Sequence, residues 1–126
     1  MGLPKANRLK HWRDFQLVFN RGIARRSRYL TLRGVRVTSK EKDPVREQPC
    51  ATQVGISIGK KVSKKAVVRN RIKRQLRRAV RELMPSIIPG WKIVLVVKPG
   101  AVECEYEHFL RELKQVLTQA EVLNGH

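Results

Sequence analysis

One helix constrains what this chain can become. Between about Lys64 and Leu83, on a wheel of ~100° per residue, Val68, Ile72, Leu76, Ala79, Val80 and Leu83 fall within a sector of roughly 120°. Asn70, Arg71, Lys73, Arg74, Arg77, Arg78 and Arg81 fill roughly the next 160°, with Arg69 at the border. The segment 65–80, KAVVRNRIKRQLRRAV, carries seven cations and no acid. Its apolar stripe has to dock on a sheet, and its other face is a rod of positive charge about 30 Å long. Met84-Pro85 ends it, because proline disfavours helix in the residue before it.

The rest of the chain supplies that sheet. Tyr29–Val37 reads as a strand, with Leu30 and Leu32 pointing one way and Tyr29, Thr31 and Arg33 the other. Val54, Ile56 and Ile58 alternate with Gly55, Ser57 and Gly59, a strand with one nearly bare face that another backbone or a ligand can approach. Ile93–Val97, IVLVV, has the length and branching of a strand buried on both faces or central in the sheet. Leu9, Trp12, Phe15, Val18 and Phe19 recur at helical spacing, and Gly22 is placed to stop that helix. Tyr106, Phe109, Leu110, Leu113, Val116, Leu117 and Ala120 mark a last amphipathic helix whose glutamates are expected on its outer face. The segment Thr38–Gln53 is mixed in charge, holds two prolines and reads as a loop between strands. The expected fold class is α+β, in one domain spanning 1–126.

Charge limits the partner. The chain has 126 residues and a net charge of +18, which favours a polyanion. The charge is segregated. Residues 1–40 hold eleven cations and one acid, residues 60–81 hold eleven cations and none, and half of the ten acids lie in the last quarter. A solubility device would spread its charge, so one face is expected to meet a polyanion and another to meet water. A membrane is the weaker partner: no apolar run approaches the ~20 residues a spanning helix needs. The N-terminus, MGLPKANRLKHWRDF, has no signal-peptide core, and with Asn7 and Ala6 it makes a poor myristoylation site. Cytoplasmic residence is expected, and Cys50 and Cys104, far apart and without C-x-x-C spacing, are expected as reduced thiols.

Catalysis by the chain alone is disfavoured. Its acids cluster only in the last helix, where they read as a solvated face, and His11, His108 and His126 show no metal-ligand spacing. Arg and Lys, the plentiful residues, are those that bind phosphate. Asn70 and Gln75 are the only side chains on the long helix suited to reading base edges. RNA fits better than duplex DNA because Trp12, Phe15, Phe19 and Tyr29 accompany the charge and can stack on unpaired bases. Phe15 and Phe19 taken alone read as core; both readings hold if one edge of each ring lines a groove.

At this point the sequence resembles a known family. Residues 60–82, KKVSKKAVVRNRIKRQLRRAVRE, look like the arginine-rich signature of the protein subunit of bacterial ribonuclease P. Its centre is Arg69-Asn70-Arg71-Ile72-Lys73-Arg74, with Arg77 and Arg78 behind. Asn7-Arg8-Leu9, Asp14-Phe15, Val18-Phe19 and Gly22 sit where that family has its first helix. Val54–Ile58 with Lys60-Lys61, and Val94–Pro99, resemble its strands. The resemblance implies a compact α/β sandwich of about four strands with a left-handed βαβ crossover, like the second domain of a small-subunit ribosomal protein. It implies an endoribonuclease holoenzyme in which a catalytic RNA, with magnesium bound mainly by that RNA and none by the protein alone, removes the 5′ leader of precursor tRNA. No catalytic or metal-ligating residue is then expected in the protein, nor an obligate protein partner. Lys64, Lys65, Arg69, Asn70, Arg71, Lys73, Arg74, Arg77 and Arg78 are implied to face the RNA subunit. Phe15, Phe19 and Arg33 are implied to line a cleft for the single-stranded leader, with Lys60 and Lys61 near its signature end. Arg33 stands where the family often has an aromatic, so contact there is expected to be ionic. The alternative is a structural ribosomal or RNA-assembly protein, which explains the charge equally well but predicts no dependence on a leader. A basic DNA-binding domain would instead prefer duplex DNA.

Overall fold

The computed structural model describes residues 3–36 and 51–123. Helix α1 (Trp12–Arg21) is followed by strands β1 (Ile23–Arg26), β2 (Leu30–Arg36) and β3 (Gln53–Ser57), helix α2 (Ala66–Leu83), strand β4 (Trp91–Val97) and helix α3 (Tyr106–Gln119). The four strands form one sheet in the order β1-β2-β4-β3. β1 and β2 are antiparallel, as are β2 and β4, whereas β3 and β4 are parallel. Helix α2 is therefore the crossover of a βαβ unit, and β4 is central, as its unbroken apolar run requires. Thr38–Cys50, most of the expected loop, and Val37 lie outside the described residues, while Gln53 opens β3.

Two apolar layers sandwich the sheet. On one face Leu32, Val54, Ile93 and Leu95 meet Ala79, Val80 and Leu83 of α2 and Leu113, Val116 and Leu117 of α3. Leu30 and Val97 continue that layer with Ile72, Leu76 and Phe109. The buried residues of α2 are Ile72, Leu76, Ala79, Val80 and Leu83, the stripe drawn from the wheel, with Val68 half-buried at its end. Magnitudes explain why so charged a helix stands. Four like-charge i,i+4 pairs (Arg69/Lys73, Lys73/Arg77, Arg77/Arg81, Arg74/Arg78) cost about 0.2–0.5 kcal/mol each, or ~1–2 in all. Each large buried aliphatic contributes ~1.5–3 kcal/mol, so the stripe wins comfortably.

On the opposite face Leu9, Val18 and Val94 form a smaller cluster with Phe15, Val35 and Val96. Here the structure corrects the periodicity. Leu9 precedes α1: its backbone N–H donates to Val54 O at 3.1 Å, and the helix starts only at Trp12, where His11 Nδ1 accepts from Arg13 N. Leu9 is buried as an extended residue leaning on β3, and Trp12 is 61% exposed. Gly22 does end α1, with its N–H donating to Val18 O. Its φ of −72° is open to any residue; a Cβ there would lie 2.3 Å from Val18 O and 2.9 Å from Gly34 O, so close packing demands the glycine. At Gly55 the bare strand face admits a ring and not a backbone, since a Cβ would meet Phe15 Cζ at 2.5 Å.

Strand β1 was not legible. IARR is short, has no alternating apolar pattern, and carries the charge that edge strands wear against unwanted pairing. The glutamates also need correction. Glu107 is exposed, but Glu112 is 5% exposed and accepts from Ser27 Oγ at 2.5 Å and from Tyr29 N at 2.7 Å. It ties α3 to the turn between β1 and β2.

Candidate nucleic-acid interface

Two basic surfaces emerge, one on each face of the sheet. The first is the outward side of α2. Asn70, Arg74, Arg77 and Arg78 are exposed there, with Lys64 and Lys65 exposed just before its first turn. Arg69, Arg71 and Lys73 are half-buried. Some of these cations also serve the fold. Arg69 Nη1 donates to Ser63 O at 2.8 Å and helps order the entry to the helix. Arg71 Nη2 donates to Val102 O at 2.8 Å, linking α2 to the turn before α3. Arg78 lies over the Tyr106 ring at 4.3 Å, a cation–π arrangement. The Tyr106 hydroxyl donates to Glu82; that bond first, then desolvation, raises the phenol above its ordinary pKa, so the ring stays neutral beneath Arg78. Of the two candidate base readers only Asn70 faces outward; Gln75 is half-buried with its Oε1 sequestered.

The ion pair found among the described residues, Lys92 with Asp14 at 2.9 Å, lies away from this surface. Among the described residues, therefore, no acid closes a salt bridge with the cations of α2. A field of one sign facing water is suited to phosphates, whose binding releases condensed counterions.

The second surface is the part of the sheet that α1 leaves open. Register places Arg26, Thr31, Val96 and Ser57 in one row across the four strands. Thr31, Val96 and Ser57 are half-buried and Arg26 is exposed. The neighbouring row, Ala24, Arg33, Val94 and Gly55, lies partly under α1, with Phe15 over Gly55 and Phe19 beside Arg33. The Arg33 guanidinium sits 5.3 Å from the Phe19 ring centroid and donates to Phe19 O at 2.8 Å. Its Nε is buried without a partner among the described residues. Phe19 keeps 38% of its surface exposed. Phe15, Phe19 and Arg33 are thus brought together along the border of the open row. Lys60 and Lys61 are exposed in the turn after β3, at the end of the sheet from which α2 departs.

Among the described residues no group of three or more His, Cys, Asp or Glu side chains is placed to hold a metal ion. Cys104 is a free, buried thiol. Burial, and next Glu112, push its pKa up, which suppresses the nucleophilic thiolate. Among the described residues no helix is long and apolar enough to cross a membrane. Two cations outside the expected set, Arg8 and Lys10, are exposed on either side of Leu9, whose N–H bonds to β3; the helical period of Leu9 gave no sign of this placement.

Comparison with known proteins agrees with this arrangement. The family model described as Ribonuclease P matches residues 3–121. The chain is 54% identical to the ribonuclease P protein component of Picosynechococcus sp. over 127 residues, covering 100% of both chains. It is 51% identical to that of Microcystis aeruginosa, again over 100% of both. Among solved structures, the Staphylococcus aureus RNase P protein superposes with a TM-score of 0.76 at 29% identity, covering 95% of this chain and 100% of that one. The Thermotoga maritima RNase P protein gives a TM-score of 0.73 at 22% identity, over 89% and 96%, a likeness of fold. A basic crossover helix on one side of a four-stranded sheet, an aromatic-bordered open row on the other, and a family match along nearly the whole chain lead to one assignment: the chain belongs to the ribonuclease P protein family.

Proposed function

We propose that this chain is the protein subunit of a cytoplasmic ribonuclease P, holding a catalytic RNA through α2 and the leader of precursor tRNA across the open row of the sheet. The observation that carries the reading is the outward face of α2, where cations accumulate with no acid salt-bridged to them among the described residues. Hydrolysis of the phosphodiester bond is assigned to the RNA, with magnesium held there; the described residues of this chain offer no clustered carboxylates for it. The protein's work is then positioning. Arg and Lys neutralise phosphates, and the Phe19 ring, steadied by Arg33, offers a face to an unpaired leader base.

The leader contact is tested by comparing holoenzyme affinity for leader-bearing and mature tRNA. Phe19→Ala and Arg33→Ala are each expected to reduce the advantage of the leader-bearing substrate by roughly tenfold, since stacking of a base on an aromatic contributes ~1–3 kcal/mol. Affinity for mature tRNA should be unchanged. Equal losses for both substrates would remove the open row from the leader path and favour a structural RNA binder.

A further inference from the structure

The exposed cations of α2 are not equally held. Among Arg74, Arg77, Arg78 and Arg81, only Arg78 rests on an aromatic ring among the described residues. Its guanidinium carbon lies 4.3 Å from the centroid of Tyr106. Tyr106 is the first residue of α3, and its place is fixed from both sides. Glu105 and His108 form a capping box: the Glu105 side chain accepts from the His108 N–H, and His108 Nδ1 accepts from the Glu105 N–H at 3.0 Å. Arg71 ties the turn before α3 to α2 through Val102 O. The ring itself is half-buried and packs on the core that α2 and α3 share. It is a fixed platform for a long, exposed side chain.

The same tyrosine meets the one acid of α2. Between Ala66 and Leu83 only Glu82 is acidic. It stands four residues after Arg78, a spacing at which opposite charges on a helix pair. No salt bridge joins the two among the described residues. Instead the Tyr106 hydroxyl donates to Glu82 Oε2. One side chain thus takes the cation on its face and the carboxylate at its tip.

We propose that Tyr106 is a positioning residue for binding of the RNA subunit: its ring holds the Arg78 guanidinium in place, and its hydroxyl draws Glu82 aside so that Arg78 meets phosphate unpaired. An arginine already ordered on a platform loses less freedom on binding. A guanidinium without a carboxylate partner keeps its whole fork for phosphate oxygens. The inference rests on the reading of α2 as the RNA-binding face.

The test measures binding of the full chain to ribonuclease P RNA in two double-mutant cycles. Tyr106→Leu keeps apolar bulk and loses the ring face; Tyr106→Phe keeps the ring and loses the hydroxyl. Tyr106→Leu is expected to weaken binding roughly threefold, and to have no effect in a chain that carries Arg78→Ala. Tyr106→Phe is expected to weaken binding about twofold, and to have no effect once Glu82→Gln is present. A general loss of packing would show in every background. Equal losses with and without Arg78→Ala therefore overturn the platform, and a Tyr106→Phe loss that persists beside Glu82→Gln overturns the part given to the hydroxyl. As a readout without RNA, the Arg78 Hδ resonances of the free protein should be shifted upfield by the ring, and Tyr106→Leu should abolish the shift. Ordinary arginine positions in the unmodified chain would also overturn the platform. If Arg78→Ala leaves binding unchanged while Arg74→Ala weakens it, the proposal falls and α2 stands. If both are silent, the reading of α2 itself falls.

Discussion

Arg74→Ala is expected to weaken binding to ribonuclease P RNA by about 1–3 kcal/mol with no change in the thermal unfolding midpoint. Its side chain is exposed and has no hydrogen-bond partner among the described residues, so only an external phosphate can miss it. Arg71→Ala should behave differently. Its guanidinium joins α2 to Val102 O, and a hydrogen bond from a charged group is worth ~1.5–3 kcal/mol. Half-exposure places this one near the lower end, so Arg71→Ala should lose both RNA affinity and about 1.5 kcal/mol of stability. Arg71→Lys keeps the charge but not the planar fork, and should restore affinity better than stability. Filter binding and urea unfolding separate the two effects. An Arg74→Ala protein with unchanged affinity would place the RNA elsewhere.

The largest loss of stability outside the apolar core is expected at Glu112. Its buried carboxylate accepts from Ser27 Oγ and Tyr29 N, while Lys98 Nζ donates to Ser27 O at 2.6 Å. The turn between β1 and β2 is thus held from two sides. Glu112→Ala removes two charge-assisted bonds and leaves donors unmet, a cost of about 3–5 kcal/mol. Glu112→Gln keeps an acceptor of the same shape and should cost about 1 kcal/mol. Urea unfolding at constant slope measures both. Because the turn sets the register of β1 on β2, and with it the positions of Arg26 and Arg33, Glu112→Ala should also lower leader discrimination in the fraction that remains folded. A loss below about 0.5 kcal/mol would mean that the carboxylate is hydrated and does not brace the turn.

Local pattern foretold what local forces decide. The stripe of α2 and the central position of β4 follow from the periodicity and length of their own segments, and the helix stop at Met84-Pro85 from proline's geometry. Features that depend on distant partners were hidden. Glu112 looked like its neighbours because nothing in α3 tells which glutamate meets the turn of a hairpin some 85 residues earlier. Leu9 fell on the helical period of α1 yet belongs to the edge of β3. A wheel shows that Arg71 and Arg78 point away from the stripe, but Val102 and Tyr106, which engage them, come from the far side of β4. For the candidate site, charge segregation indicated α2, and the family resemblance supplied Phe15, Phe19 and Arg33. That Arg8 pairs with the edge of the sheet became visible only when the strand order placed β3 outermost.

The chain is proposed to clamp a catalytic RNA and to do no cutting of its own. Mixing it with a bacterial ribonuclease P RNA and a leader-bearing precursor tRNA at low magnesium, and following leader release on a gel, tests that directly. The account predicts efficient release by the mixture and little by either component alone. Release by the protein alone, or an RNA that cuts no better with the protein than without it, would contradict it.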